Sequence, residues 1–199
     1  MIEMPLFPLS SVLLPHGRMP LQIFERRYLD LVRDCMKTGQ PFGVVWIRRG
    51  SEVAVQGRAA PDLGDYGTTA RIVDWDQLPN GLLGITIEGD RRFELYRAST
   101  REDGLVIGEV TLSPPGEKAP MLDVWQPLVE VLQSLQTHPH VQRMNLQVDD
   151  GDPWQVAYSL VQLLPLEESL KYELLGIDTL VELMRELDVI LNQISGEED

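Results

Sequence analysis

The chain has 199 residues, of which 43% are hydrophobic and 24% are charged, and it contains one cysteine, Cys35. These values are typical of a globular protein that buries its own core, and a single cysteine excludes an internal disulfide or a multi-cysteine metal site. Because so few thiols suit a reducing compartment, we expect a cytoplasmic protein.

The net charge is −14, and the two parts of the chain carry it unequally. Residues 1–116 hold 15 acidic and 13 basic side chains, whereas residues 117–199 hold 16 and 4. The acidic second part would repel phosphate backbones, which disfavours nucleic-acid binding. The longest charge-free runs, Met4–Gly17 and Pro153–Leu166, have 14 residues. Since a membrane span needs about 20 apolar residues, we expect no membrane partner.

Prolines mark the first segment, Met4–Leu14, which we expect to be extended and limited to an edge strand or a broken strand. From Leu21 onward the apolar spacing becomes helical, and charged residues occupy the other face. The apolar stripe consists of Phe24, Tyr28, Leu31, Val32 and Cys35. It predicts a helix that begins near Glu25 and ends at Gly39.

Short segments rich in β-branched and aromatic residues follow: Phe42–Arg48, Val53–Ala59, Thr68–Trp75, Leu82–Glu88, Arg92–Ser99 and Leu105–Leu112. The Asn-Gly pair within Leu78–Gly81 predicts a hairpin between the third and fourth segments. Gly89 and Asp90 predict a bend before the fifth segment, and Glu102–Gly104 predicts a turn before the sixth. This spacing predicts a closed or nearly closed antiparallel barrel with one inserted helix.

A proline-rich stretch, Ser113–Pro120, predicts a linker, and the chain after it has helical periodicity. The predicted helices start near Leu122, span Val156–Leu164 and Glu167–Leu175, and end with one that a capping box at Thr179–Glu182 opens. We therefore predict the α+β class. A β-barrel occupies residues 1–113, a linker 114–119, and a helical bundle with a short acidic tail 120–199.

The ordered motifs of the first part resemble the Lon substrate-binding domain, the N-terminal domain of Lon proteases, which also occurs as a stand-alone protein. The matching motifs are Leu6-Phe7-Pro8-Leu9, Leu14-Pro15, Pro20-Leu21, Ile23–Tyr28 (IFERRY), Phe42–Val45 (FGVV), Gly64–Asp74 (GDYGTTARIVD) and Ile87–Leu95 (IEGDRRFEL). Leu160–Leu187 resembles the helical tail of bacterial members. The resemblance therefore covers nearly the whole chain.

The resemblance implies a PUA-like β-barrel followed by a helical bundle, in a module that binds unfolded or extended polypeptide. The 199 residues contain no G-x-x-x-x-G-K-[ST] phosphate loop. They also stop short of the ATPase and Ser-Lys peptidase domains of full-length Lon, so we expect no enzyme activity and no cofactor. We predict a non-catalytic adaptor or regulator of proteolysis, with a protease as a second partner. Two alternatives stay open: an RNA-binding PUA-like protein and an enzyme of unrecognised type.

The irregular opening supplies the candidate polypeptide-binding residues, which are Leu13, Leu14, Met19, Phe24, Glu25, Arg27 and Tyr28. Apolar side chains near the surface of an irregular barrel wall, such as Leu13, Leu14 and Met19, suit an extended peptide that adds as a strand. A structural interpretation competes with this one. Phe24 and Tyr28 fit one helix face packed on the barrel, and Glu25 and Arg27 fit a cap at the helix start. The prolines equally protect an edge strand from pairing.

The strongest basic feature is a candidate patch of Arg48, Arg49, Arg91 and Arg92, which would serve RNA binding. Arg92 and Glu94 alternate with apolar neighbours, however, as solvent-facing charges on a strand do. His138 and His140 lack further nearby ligands, and Asp149–Asp152 lacks the calcium-loop spacing, so we expect no metal. Cys35 lies on the apolar stripe and is expected to be buried.

Overall fold

The computed structural model describes residues 1–52 and 61–196. It forms two compact units, Met1–Pro114, called here the strand unit, and Pro115–Asp199, called the helical unit. The strand expected at Val53–Ala59 lies outside the described residues.

Six strands form one sheet in the strand unit: β1 (Ile2–Leu9), β2 (Arg18–Ile23), β3 (Phe42–Arg49), β4 (Asp62–Gln77), β5 (Leu83–Thr100) and β6 (Val106–Leu112). Their order is β2-β5-β4-β3-β1-β6, and an additional β5–β6 pairing closes an uneven ring. The long β5 makes this closure, because its first half pairs with β2 and β4 and its second half pairs with β6. The predicted barrel is confirmed as a ring that is not evenly closed.

The expectation of a wholly antiparallel barrel is wrong, because β1 and β3 are parallel. Parallel neighbours need a long crossover connection. Here β2 and the helix α1 (Arg26–Thr38) lie between the two strands in the chain and return it to the end where β1 began. The connection through β2 and α1 is therefore what allows β1 and β3 to pair in parallel.

The first segment, expected to be limited to an edge strand or a broken strand, lies within the sheet but has a different partner along each half. β6 pairs with residues 2–6 of β1, and β3 pairs with residues 6–9. The two partners overlap only at Leu6, so Pro5 and Pro8 each lie beside one partner strand. A proline without an N–H donor fits such a position, because one side of the backbone has no ladder to complete.

Helix α1 begins and ends close to the predicted residues. Glu25 is the N-cap, and Gly39 ends the helix with a left-handed φ of 71°, which glycine adopts without steric cost. The predicted stripe is buried except for Phe24, which precedes the helix and does not share its face. The stripe packs into the larger apolar cluster of the strand unit, which includes Phe7, Phe42 and Ile87.

The hairpin between β4 and β5 is confirmed. The bend expected at Gly89-Asp90 falls at a register shift between β5 and β4, but it does not divide β5 into two strands. The Leu78 N–H donates to the Leu82 carbonyl at 2.8 Å, and Gly81 has a φ of 82°. β5 continues through Gly89 without a break. Glycine is needed there for a close approach, because a Cβ on Gly89 would lie 2.2 Å from the carbonyl oxygen of Leu14.

The helical unit contains α2 (Gln126–Gln136), α3 (Pro139–Met144), α4 (Pro153–Leu163), α5 (Glu168–Leu175) and α6 (Leu180–Gly196). The short α3 is missing from the prediction, because His138-Pro139-His140 reads as a helix end and caps this helix instead. The predicted capping box at Thr179 is present, since its Oγ1 accepts from the Glu182 N–H at 3.4 Å. Among the described residues, no helix is long and apolar enough to cross a membrane.

Candidate functional site

The structure buries two of the residues expected on the surface. Leu13 is 2% exposed and Leu14 is 1% exposed, so the expectation that they contact a polypeptide from the surface is wrong. The segment that carries them is held against the ring, because the Leu13 carbonyl accepts from Thr68 Oγ1 at 2.7 Å. The His16 N–H donates to the Gly89 carbonyl at 2.8 Å, which holds the same segment to β5 further along the chain.

Glu25, Arg27 and Tyr28 form a cluster directed into the protein. Arg27 Nε lies 3.0 Å from Glu25 Oε2, and its two terminal nitrogens donate to the carbonyls of Gly104 at 2.9 Å and Glu52 at 3.2 Å. The guanidinium carbon stands 4.5 Å from the centre of the Tyr28 ring, a cation–π arrangement. Arg27 therefore joins three chain segments, and its donors are used inside the protein.

Two buried titratable groups lie on α1. Burial raises the pKa of Tyr28 to about 12, and the Arg27 guanidinium opposes part of this rise. Burial, with the nearby Asp34 carboxylate, raises the pKa of Cys35 to about 11. Because the thiolate is the reactive form, Cys35 is a weak nucleophile at neutral pH.

Two candidate residues that are not buried, Met19 and Phe24, lie on or directly after one strand of a three-stranded part of the sheet. We call this part the flap; it comprises residues 18–23 of β2, 83–88 of β5 and 71–77 of β4. β3 pairs with β4 only as far as Ala70, so within the described ranges residues 71–77 have a strand partner on the β5 side alone. The flap therefore presents a strand edge along β4.

Three exposed apolar side chains lie on the flap or next to it, two on β4 and one after β2, which β5 separates from β4. Trp75 is 59% exposed, Val73 is 37% exposed, and Phe24, which follows β2, is 55% exposed. Trp75 is level with Leu21, because both pair with Ile85. Standard strand geometry then places the Cα atoms of Trp75 and Phe24 about 14 Å apart. The partly buried Met19 lies on β2 and packs against the larger apolar cluster of the strand unit.

Sequence reasoning selected Phe24 and missed Trp75. A usable signal was present, since Asp74-Trp75-Asp76 places a tryptophan between two charges on a strand that runs into a turn. The two flanking charges indicate a solvated strand edge, where a tryptophan is partly exposed and not fully buried. The four-residue spacing of Phe24 and Tyr28 drew attention to α1 instead.

The basic residues do not form an open patch. Arg48 contacts the Asp65 carboxylate and lies 3.9 Å from that of Asp62, which is also 3.9 Å from Arg49. Arg91 donates to the Ser113 carbonyl at 2.6 Å. Arg92 pairs across the sheet with Thr68. Arg48 and Arg91 are thus occupied with a neighbouring acid and a backbone carbonyl, while the side chain of Arg49 is 90% exposed.

The flap has its own internal ion-pair network. Glu88 accepts from Arg18 at 2.8 Å and from Arg71 at 2.7 Å. Burial alone would raise the pKa of Glu88, but these two guanidinium groups hold it below its usual value. The network joins β2, β5 and β4 across the flap and fixes their register near its base.

The motifs considered for metals act as helix caps. His138 Nδ1 accepts from the His140 N–H at 3.3 Å, and Asp152 Oδ1 accepts from the Trp154 N–H at 3.0 Å. Throughout the described part of the chain, no three His, Cys, Asp or Glu side chains are arranged to hold a metal ion.

Among the described residues, the strand unit has an open cleft beside β5 and another beside α1, and no predicted site residue lines either of them. One of about 300 Å³ lies between the start of β4 and the end of β5 and is lined by Leu63 and Tyr96. The other, of about 360 Å³, lies between α1 and β1 and is lined by Ile2 and Leu31.

Comparison with known proteins identifies the family. The model of the ATP-dependent protease La (LON) substrate-binding domain matches residues 3–193. A Lon N-terminal domain protein from Xanthomonas campestris has a crystal structure that superimposes with a TM-score of 0.75 and 35% identity. That match covers 95% of this chain and 98% of the other. The N-terminal domain of a Mycobacterium avium complex Lon protease shares the fold alone, with a TM-score of 0.63, 17% identity and coverage of 94% and 96% of the two chains.

Curated relatives match over part of the chain. Lon protease of Porphyromonas gingivalis is 33% identical over 113 residues, which is 56% of this chain and 13% of that protein. Lon protease 2 of Myxococcus xanthus is 32% identical over 93 residues, which is 46% of this chain and 11% of that protein. The matched region is thus a small fraction of these relatives' length. With the family model spanning residues 3–193, this chain belongs to the substrate-binding domain family of ATP-dependent protease La (Lon).

Proposed function

We propose that this chain is a non-catalytic module that binds unfolded or extended polypeptide at the flap and serves as an adaptor or regulator of proteolysis. The observation that carries the proposal is the exposure of Trp75 and Val73 along the β4 edge of the flap, with Phe24 exposed at the end of β2 on its other side. Membership of a substrate-binding domain family supports the ligand class.

The physical basis is the burial of apolar surface. Covering a large apolar side chain contributes about 1.5–3 kcal/mol, so the three exposed side chains supply roughly 4.5–9 kcal/mol before the costs of association and ordering. An unfolded polypeptide offers apolar side chains that a folded protein hides. A surface with a few separated apolar contacts therefore favours unfolded over folded ligands.

The non-catalytic part of the proposal rests on the available side chains. The sequence has no phosphate loop, and the thiol of Cys35 is buried and protonated at neutral pH. Any hydrolysis of a bound polypeptide would then fall to a partner protease, and this chain would control which polypeptide is presented.

The test measures binding of a fluorescent unfolded protein and of a structured RNA, each at low and moderate salt. We expect saturable binding of the unfolded protein that persists at moderate salt, because apolar contact is not screened. Tight RNA binding with a steep salt dependence, and no binding of unfolded protein, would favour the RNA-binding alternative.

A matched pair of variants locates the site. Trp75→Ser should weaken binding of the unfolded protein about tenfold, the equivalent of losing one large apolar contact. Tyr96→Ser is the control, because Tyr96 is 57% exposed on β5 outside the flap. An equal loss of affinity for the unfolded protein in the two variants would contradict the flap as the binding surface.

The adaptor role needs a separate assay. Addition of this chain to a Lon protease should change the rate at which an unfolded substrate is degraded, and Trp75→Ser should abolish that change. Unchanged degradation at saturating concentrations would contradict the adaptor role while leaving polypeptide binding intact.

A further inference from the structure

The backbone donors at the flap edge face outward at Trp75 and Gln77. The Leu78 N–H donates to Leu82 across the hairpin, so Leu78 faces β5. Backbone donors alternate sides along a strand, so Asp76 and Asp74 also face β5, and Trp75 and Gln77 face away from it. These two N–H groups are the ones that an added strand would need at this edge.

Both outward donors are already occupied by aspartate side chains. The Trp75 N–H donates to Asp74 Oδ1 at 2.9 Å, and the Gln77 N–H donates to Asp76 Oδ1 at 2.7 Å. A peptide that added as a strand would have to displace two charge-assisted hydrogen bonds before forming its own. The edge is therefore closed to backbone pairing at Trp75 and Gln77, while the Trp75 ring stays open.

The same two carboxylates set the charge around Trp75. Within residues 1–52 and 61–196, neither Asp74 nor Asp76 lies within ion-pair distance of a cationic side chain, whereas the nearby Glu88 has two arginine partners. Within the described residues, the exposed indole is thus flanked by two carboxylates that have no cationic partner. A lysine or arginine beside an apolar residue is complementary to this arrangement, through the carboxylates and the indole face.

We propose that the flap recognises side chains and not backbone, and that it selects polypeptide segments in which an aromatic or aliphatic residue is flanked by lysine or arginine. This inference rests on the proposed function, since it specifies the ligand of the same surface. It also replaces strand addition, the binding mode expected from the irregular opening segment.

Three labelled nonapeptides with the same apolar centre test the inference by fluorescence anisotropy. The first carries lysine on both sides, the second carries glutamate, and the third is the lysine peptide with alternate backbone nitrogens methylated. At low salt the lysine peptide should bind about tenfold more tightly than the glutamate peptide, as two to four exposed charge contacts predict. Methylation should change its affinity less than about twofold, because no backbone donor is used.

Two double variants separate the effect of the Asp74 and Asp76 charges from the effect of their hydrogen bonds to the edge N–H groups. In Asp74→Asn with Asp76→Asn, the amide oxygens can still accept from the edge N–H groups, so only the charge is lost. The lysine preference should fall to near unity in this protein. In Asp74→Ala with Asp76→Ala the donors are freed, so backbone methylation should now weaken binding several-fold.

The outcomes distinguish this inference from the proposed function. Equal affinity for the lysine and glutamate peptides in the parent protein, or a tenfold loss on methylation, overturns the inference and leaves polypeptide binding standing. A full lysine preference in the double asparagine protein also overturns it. Failure of the unfolded protein and of every peptide to bind contradicts the proposed function itself.

Discussion

Replacing Tyr28 by phenylalanine should stabilise the strand unit. The Tyr28 hydroxyl is buried and has no hydrogen-bond partner among the described residues, and the residue is 4% exposed. Its ring stacks on Phe7 with centroids 3.9 Å apart, which phenylalanine would preserve. An unpaired buried hydroxyl costs about 1–3 kcal/mol, so Tyr28→Phe should raise the free energy of unfolding by about 1 kcal/mol. The corresponding rise in melting temperature is about 2–4 °C.

The stabilisation should grow at alkaline pH. The folded phenol has a pKa of about 12, whereas an unfolded tyrosine ionises near pH 10. The stability that this group contributes is therefore complete below pH 10 and is lost as the pH rises from 10 to 12. A two-unit difference in pKa corresponds to roughly 3 kcal/mol, so the advantage of Tyr28→Phe should increase by about that amount across this window.

Urea unfolding followed by circular dichroism at pH 7 and pH 11 measures both effects. Tyr96→Phe is the control, because its hydroxyl is exposed and its removal should change stability by less than about 0.5 kcal/mol. A Tyr28→Phe protein less stable than its parent by about 1 kcal/mol or more at pH 7 would refute the reasoning, since it would mean that the hydroxyl has a partner in solution.

Further predictions concern packing and organisation. Gly89→Ala should cost at least about 2 kcal/mol in urea unfolding, because its Cβ would meet the Leu14 carbonyl oxygen at 2.2 Å. Gly196→Ala meets nothing within 4 Å and should be neutral or slightly stabilising. Arg27→Ala should cost about 3 kcal/mol, since it removes the donor of two backbone carbonyls and a carboxylate; a loss under about 1 kcal/mol would contradict this. Trypsin should cut first at Lys118 in the proposed linker 114–119, and first cuts within β3–β6 would contradict the proposed division.

Local signals in the sequence were sufficient for much of the fold. The Asn80-Gly81 turn and the α1 stripe ending at Gly39 depend on neighbouring residues and on conformations that few side chains adopt, so they could be read directly. The capping box at Thr179 is local in the same way. The spacing of the strand segments predicted the barrel-like ring, and the family resemblance implied the same architecture.

The features that sequence reasoning missed depend on contacts between distant segments. Pro5 and Pro8 are tolerated in a doubly paired strand only because the two partner strands cover different halves of β1. Gly89 is glycine because Leu14 crosses it, which no pattern near residue 89 records. The burial of Leu13 and Leu14 has the same cause, and it removed the two leading candidates from the surface.

The site could be predicted only in part for a related reason. Phe24, a candidate binding residue, is exposed because it lies before the helix and not on its apolar stripe, where the sequence had placed it. Exposure of Trp75 follows from where β3 stops pairing with β4, at Ala70. That boundary is set by strand register and not by the residues around Trp75.

Mapping backbone amide chemical shifts during titration with an unfolded protein tests whether the flap is the polypeptide-binding surface. We expect the largest perturbations on residues 73–77 and on Phe24, with Tyr96 and the helical unit unchanged. Perturbations centred on Arg48 and Arg92, or confined to the helical unit, would contradict it.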